Sequence, residues 1–396
     1  MPRYEVYPTR YDALGAVDEA LPVRGLSFSL PLNDHGECTF EATAEPGRSF
    51  WRAALALPFS GVLVTRDGVP YWAGLLTDER QSGPRSFSFT AREWGWFFEE
   101  KVPVAPRVWT GANDHDIFRD LITYAQLVPG QNVLVEVGTT LGATTSDRVV
   151  TAWDKTTVGR EFRSVADADG GPEWYFGAGG TLEAPRRFLQ LGDRLGHTSA
   201  ETVLEYVEDT EPVTRPDPPP LVTLMGDLFP GPAPLVPVRR AGGNVIALAR
   251  SRSLGEAATV VVATGAGEDA AQLKSTATAS TLLSRGWPRM TAFSDYNDVS
   301  VKATLDRHAA ADLGKRAGIA TGYSLVTLDG DPTADWTQTP RGSTVRVILD
   351  TDVYGGDRPV GGTNGFDARC LGVTVRVPDS GDAQIEWSIG DVLEIR

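Results

Sequence analysis

The chain has 396 residues, 37 of them Lys or Arg and 52 Asp or Glu, for a net charge of −15. That length exceeds one ordinary hydrophobic core and divides into about two to four domains, while the acidic balance repels phosphate backbones and sets aside stable nucleic-acid binding. With 42 Gly, 27 Pro, 10 Trp and 41% hydrophobic residues, the profile is that of a folded, turn-rich, mainly β protein and not of a disordered one.

Solubility is a sufficient reading of the charge; an acidic lumen that DNA passes without sticking is the sharper one. Cys38 and Cys370 stand alone, without the C-x-x-C spacing of a zinc knuckle or the density of a disulfide framework. A reducing compartment during folding is the simpler reading. Met1-Pro2-Arg3-Tyr4-Glu5 opens polar, with no apolar signal core, and no stretch approaches the length of a membrane span. The chain is expected to fold in the cytoplasm of the cell that makes it.

In chain order, residues 4–59 read as strands broken by turns, with Leu26-Ser27-Phe28-Ser29-Leu30 and Cys38-Thr39-Phe40-Glu41-Ala42 alternating cleanly. Residues 62–103 continue the pattern. A strand with Val62 and Val64 is followed by an Asp67-Gly68 turn, then by a strand that sets Tyr71, Ala73 and Leu75 against Trp72 and Leu76. A strand with Phe87 and Phe89 leads into an aromatic knot, Trp94-Gly95-Trp96-Phe97-Phe98. Together these predict a sheet of about five or six strands.

From Trp109 the character changes. Asn113 or Asp114 caps a helix with Ile117, Leu121, Ile122 and Ala125 on one side, ended by Pro129-Gly130. The recurrence of Val158, Phe162 and Val165 predicts a second helix over 158–166, and Glu173-Trp174-Tyr175-Phe176 a strand. Residues 109–194 thus read as a small α+β unit inserted after the first sheet. Between Thr210 and Arg240, Pro218-Pro219-Pro220 with Pro230, Pro232, Pro234 and Pro237 marks an extended connector, the strongest boundary in the chain. Beyond it, 244–250 and 258–263 read as two strands joined by Ser253-Leu254-Gly255-Glu256. A helix from about Thr304 to Ala317 carries Val301, Leu305, Ala309, Leu313 and Ala317 along one face, and strands at 322–328, 344–349, 371–377 and 383–389 follow.

Chemistry-bearing motifs are weak. Val260-Val261-Val262-Ala263-Thr264-Gly265-Ala266-Gly267 runs into G-x-G-x-x-A, yet Glu268 and Asp269 put negative charge where a pyrophosphate would sit, so a glycine loop is the better reading. His35, His115, His197 and His308 are scattered, with no ligand-spaced partner. Asp114-His115-Asp116 opens a helix, where acids complement the dipole, and Asp295, Asn297 and Asp298 form a polar turn that completes no calcium loop. No G-x-S-x-G elbow or Cys–His pairing appears. An acidic glycosidase pair needs only two carboxylates at the right separation, which no sequence pattern excludes. Trp51, Trp72, Trp94, Trp96, Trp153, Trp174 and Trp287 can stack on sugars, but they lie among apolar residues as core and interface tryptophans do.

The glycine-marked strand Trp72-Ala73-Gly74, followed by Arg92-Glu93-Trp94, resembles the first domain of tail hub proteins of long-tailed bacteriophages. In order after it come Gly243-Asn244-Val245-Ile246, paired in that family with a valine-rich strand like Thr259-Val260-Val261-Val262-Ala263-Thr264-Gly265, then Arg285-Gly286-Trp287-Pro288, the helix, and Arg341-Gly342-Ser343-Thr344-Val345-Arg346-Val347. Each piece is short, and the order carries the likeness over most of the chain. Two departures are the long Pro-rich connector and Arg341-Gly342-Ser343 where the family often has a Pro-Gly-Asp turn.

The resemblance implies a mainly β multidomain fold with α+β insertions and two tail-tube-like β-barrels. Its divisions are a first barrel at 1–105, an inserted α+β domain at 106–194, a return segment and connector at 195–241, and a second barrel with helix and C-terminal β domain at 242–396. It implies a structural virion protein and no enzyme: a homotrimeric tail-tip or baseplate hub that ends the tube. Its partners would be itself, the distal tail protein, the tape-measure protein and other minor tail proteins, with DNA passing transiently through the lumen. No catalytic, cofactor or metal residues are implied; the structural and interface candidates are Trp72, Gly74, Trp94, Trp96, Phe97, Asn244, Gly265 and Trp287. Two alternatives stay open, a tail-associated cell-wall or polysaccharide hydrolase or binding protein, and the hub of a phage-like contractile injection machine. The end of the chain soon after its last strand speaks against an appended catalytic domain.

Overall fold

A computed structural model describes residues 2–13, 19–43, 55, 60–151, 155–168, 170–207, 243–267, 272–297, 299–350 and 365–394. The Pro-rich connector lies outside the described residues, as do Trp51, Trp153, Glu268, Asp269 and Asp298.

The alternating runs form β1 (Tyr4–Arg10), β2 (Val23–Pro31), β3 (Glu37–Thr43), β4 (Ser60–Arg66), β5 (Val69–Gln81) and β6 (Ser86–Glu93), in the antiparallel order β1-β4-β5-β6-β3-β2. Asp67 and Gly68 both take positive φ, 53° and 80°, the geometry that matches the twist of a two-residue hairpin. β4 is buried along nearly its whole length because both faces are covered. Val62, Val64, Trp72, Leu76, Phe87 and Phe89 enter one core, while Leu63, Ala73 and Leu75 pack into a second. Tyr71 departs from the expected alternation and packs with the core of Trp72, beside the ladder irregularity between Val64 and Thr65.

The aromatic knot is a two-turn helix, α1 (Trp94–Lys101). After it come β7 (Arg107–Asn113), α2 (Asp114–Leu127), β8 (Val135–Val137), β9 (Thr145–Val150), α3 (Val158–Ala166), β10 (Glu173–Gly180) and β11 (Pro185–Gly192). Both predicted helices form, and the side chain of Asn113 caps α2 by accepting from His115 N at 3.1 Å. Ile117, Phe118, Leu121 and Ile122 of α2 meet Phe162 of α3 and Trp174 of β10, with the Phe118 and Phe162 rings stacked 4.3 Å apart. This second core reaches back to Trp94 and Phe98, so the inserted unit is packed onto the outer face of the first sheet.

The remainder supplies β12 (Thr202–Val207), β13 (Val245–Ser253), β14 (Val260–Thr264), β15 (Lys274–Thr278), α4 (Ser280–Ser284), β16 (Thr291–Asp295), α5 (Lys302–Arg316), β17 (Ile319–Leu328), β18 (Thr344–Asp350), β19 (Gly365–Val377) and β20 (Gln384–Glu394). The expected pairing of the Asn244 strand with the valine-rich strand does not occur. β13 pairs with β17, and β14 lies in a separate sheet of order β15-β14-β16 covered by α5. The physical reason is sequence-distant: the edge of β13 that enters the sheet is satisfied by β17, a strand that follows the whole β14–α5 excursion.

Long β19 splices the two halves. Its residues 365–369 pair with β18 and residues 372–377 pair with β2, while β20 runs along its other edge. The result is one twelve-stranded sheet with the path β1-β4-β5-β6-β3-β2-β19-β20-β17-β13 and β18 and β12 as a branch. Among the described residues β12 returns to the start of β13 through the isolated bridge Tyr206–Gly243, so the second lobe curls almost into a ring. Among the described residues neither lobe is closed by a continuous ladder, and the two share one core in which Phe28, Trp72, Trp336 and Trp387 are members of the same cluster. The chain is a mainly β, multidomain protein with α+β insertions. Among the described residues no helix is long and apolar enough to cross a membrane.

Candidate functional site

Three arginine–carboxylate joints tie the last part of the chain to what precedes it, two to the first sheet and one to the inserted unit. Glu93, at the end of β6, is 1% exposed; its Oε1 accepts from Arg341 Nη2 at 2.9 Å and its Oε2 from Gly36 N at 2.7 Å. Arg341 also donates to Pro31 O at 3.0 Å and lies 4.5 Å over the Tyr175 ring. Burial pushes the Glu93 carboxyl up and Arg341 pulls it back down, and the upward push prevails. In the second joint, Arg66 meets Asp329 in a bidentate pair at 3.0 Å for both bonds, and Asp329 accepts further from Tyr4 Oη at 2.6 Å and Trp336 Nε1 at 3.3 Å. Burial and the bond to Asp329 push the Tyr4 phenol far above its ordinary range. The third joint is a bidentate pair of Arg369 with Glu173. Arg92-Glu93-Trp94 and Arg341-Gly342-Ser343, separate motifs in the sequence, are thus one buried contact.

The structure distributes the named candidates over several places. Trp72 is fully buried in the shared core and Trp94 in the core of the inserted unit, on opposite faces of the first sheet. Gly74 is required by close approach: a Cβ there would stand 2.2 Å from Arg92 O and 2.5 Å from the Trp72 ring. Trp96 and Phe97 are half-buried on α1, Trp96 with Lys101 Nζ 5.2 Å from its ring centre and Phe97 edge-on to Phe98 at 5.8 Å. Asn244 closes the second lobe. Its Oδ1 accepts from Glu205 N at 2.8 Å, its Nδ2 donates to Val203 O at 2.7 Å, and its backbone N donates to Glu205 O at 3.0 Å, so one side chain imitates a strand edge against β12. Gly265 and Trp287 stand apart from these, in the unit of β14, β15, β16 and α5; a Cβ at Gly265 would lie 2.7 Å from Val299 O. Trp287 follows α4, half-buried.

Arg187 is the residue that sequence reasoning missed. It is 3% exposed, lies 4.1 Å over the Trp94 ring, and donates to four carbonyls: Arg10 O at 2.7 Å, Tyr11 O and Ala13 O at 2.8 Å and Val133 O at 2.9 Å. Burial brings its pKa down to about 10. The signal was available, because Arg187 shares the inward face of β11 with Leu189 and Leu191.

The enzymatic motifs resolve into structural contacts. Gly265 N donates to Leu273 O at 2.8 Å and Ala266 N to Val299 O at 2.9 Å, so donors a phosphate would need are already engaged, and the next described element is the strand β15. Asp114 binds Arg307 at 3.3 Å. A cavity of about 400 Å³ between α2 and β8, lined by Thr123, Gln126, Asn132, Leu134 and Glu136, holds one carboxylate, which pairs with Arg186. Among the described residues no group of three or more His, Cys, Asp or Glu is placed to hold a metal.

Edges are treated unevenly. Gln126 covers β8, donating to Val135 O at 2.9 Å and accepting from Val135 N at 2.8 Å. The ribbon of β7 and β9 pairs with no other strand among the described residues, and its register partners Val108 and Val149 are 68% and 40% exposed.

No protein-family profile matches the chain, and no curated protein matches it by sequence. Solved structures do match it. The 43 kDa tail protein of prophage MuSo2 from Shewanella oneidensis is 9% identical with a TM-score of 0.60, over 98% of this chain and 100% of that one. A tail protein from Neisseria meningitidis is 12% identical with a TM-score of 0.57, over 98% and 97%. A chain of a PdpA–VgrG complex is 10% identical with a TM-score of 0.50, over 99% of this chain and 65% of that one. At these identities the likeness is one of fold, and it covers 98–99% of this chain.

Proposed function

We propose that the chain is a structural component of a phage-type tail, a homotrimeric hub at the tail tip or baseplate that ends the tube, binds neighbouring tail proteins and takes part in DNA passage. The observation that carries this reading is the match of the fold, over 98% of the chain, to the MuSo2 prophage tail protein and the tail protein from Neisseria meningitidis. On this reading each protomer supplies two tube-like units, the divisions 1–105 and 242–396, with 106–194 as a peripheral domain and 195–241 as the return segment and connector, whose strand β12 joins the second lobe. Cyclic symmetry then closes the assembly through equivalent patches. Trp96, Phe97 and Trp287, half-buried in the protomer, are the aromatic candidates for contacts with neighbours; Trp72, Gly74, Trp94, Asn244 and Gly265 act by shaping the lobes that present them. The acidic balance suits a lumen through which DNA slides. On this reading the protein folds in the host cytoplasm and resides at the virion tail tip. Light scattering on the purified chain tests the oligomer: three times the chain mass is expected, and a monomer at high concentration counts against a hub.

The likeness to a chain of a VgrG complex favours a second reading, the hub of a phage-like injection machine. The two are separated by the genes alongside, since only a phage requires capsid and packaging genes.

A further inference from the structure

Residues 258–317, comprising β14, α4, β15, β16 and α5, leave the twelve-stranded sheet and return to it at one place. The last register pair of the β13–β17 ladder is Ser253 with Ala320, and at the foot of the excursion Ala258 N donates to Arg316 O at 2.9 Å. The two connecting segments therefore emerge side by side, one containing Gly255 and the other Gly318. The excursion has its own small apolar cluster of Ala263, Val299, Leu305 and Ala309, with Leu273, Ala277 and Tyr296 against it, and shares no member with either larger core.

Where this module meets the inserted unit, the meeting is polar. Arg307 reaches Thr145 O at 3.0 Å, Ser146 Oγ at 3.2 Å and Asp114 Oδ2 at 3.3 Å; Arg148 Nη2 lies 3.4 Å from His308 Nε2; Lys315 Nζ bonds Asp167 Oδ1 at 2.7 Å. His308 is fully buried, stacked on Tyr296 at 4.1 Å, with no partner for its Nδ1 among the described residues, while Tyr296 Oη donates to Asp312 at 2.9 Å. Groups of this kind recover hydration when they separate, whereas parting an apolar contact exposes surface that water penalises.

We propose that residues 258–317 form a hinged module, docked on the inserted unit through this charged seam and able to swing away about the paired connectors while the twelve-stranded sheet stays intact. The device gives the protein a docked and a released state, with the seam residues of the inserted unit covered in one and open in the other. It does not depend on the trimer or on the tail-hub reading, because it rests on the seam and the connectors alone.

Two spin labels measure it directly in the full chain. Leu127→Cys on the inserted unit and Phe293→Cys on the module use side chains that are 77% and 72% exposed, and the native Cys38 and Cys370 are buried. At low salt one narrow distance distribution is expected; near 1 M salt, where the Debye length shrinks to about 3 Å, a second and longer population appears. Arg307→Gln with Lys315→Gln raises that population on the order of tenfold at low salt, and Lys315→Gln alone, at an exposed position, tests the seam if the double variant folds poorly. Carbodiimide coupling of Lys315 Nζ to the Asp167 carboxylate forms an amide, the water lost being taken up by the carbodiimide as a urea, and this lock restores the single distance at every salt concentration. One distance in the uncoupled protein at all salt concentrations and in both variants overturns the proposal, as does a salt response that persists after coupling.

Discussion

Glu93 and Arg341 lie 248 positions apart and meet with almost no water around them. A buried pair of this sort adds little over apolar residues of the same volume, but removing one partner strands a charge. Arg341→Met is therefore expected to cost about 3–5 kcal/mol in a urea melt, and Glu93→Leu added to it to recover most of that loss. His308 makes a pH prediction. Burial, and then the Arg148 guanidinium beside it, holds its pKa down to about 3 from an ordinary value of 6.5. The unfolded chain thus takes up a proton that the folded chain refuses, and stability is lost as pH falls from about 6.5 toward 3. His308→Gln should flatten that part of the stability profile; an unchanged slope would show that other groups govern it. At this scale the sequence was partly legible. Asn113 could be recognised as a cap because capping is local, and Gly74 was marked as special. The pairing of Glu93 with Arg341 was not, since nothing near either residue names a partner across the fold.

Among the elements, α2 and α3 were readable because an apolar stripe at helical spacing specifies its own buried face. Strand existence was readable as well, whereas strand pairing was not. Val245 and Val260 begin similar runs, yet β13 and β14 belong to different sheets, because pairing depends on edges contributed by β17, β15 and β16. α5 shows the limit of periodicity. Leu305 and Ala309 are buried as their spacing requires, but so are two polar residues, His308 beside Arg148 at the seam and Asp312 bonded to Tyr296 within the module. Asn244 acts at this scale, joining β12 to β13 where no ladder does. Asn244→Ala removes three side-chain bonds, from Glu205 N and to Val203 O and Thr333 Oγ1, at a partly buried site and is expected to cost about 1–3 kcal/mol, with faster amide exchange at Glu205, whose N–H it holds. Unchanged exchange there would mean that the backbone bridge closes the lobe unaided.

For the whole molecule, the splice at β19 has a thermodynamic consequence. The two lobes share one apolar cluster and one hydrogen-bonded sheet, so they should melt together in a single calorimetric transition, with only the pendant module free to open earlier. Two well-separated transitions for β1–β6 and β17–β20 would contradict this. Conspicuous residues such as Trp72, Trp94 and Gly74 serve this architecture by filling its cores and allowing its strands to approach closely. The mainly β, multidomain character was legible from glycine, proline and alternation. The union of the lobes through one strand was not, because it joins residues 26–31 to residues 372–377. The most direct test of the account is an electron cryomicroscopy reconstruction of the assembled tail that carries this chain. It should show three copies in a ring at the end of the tube, each contributing two lobes to the wall; a particle without the chain, or with it outside the tube axis in another stoichiometry, would contradict the hub.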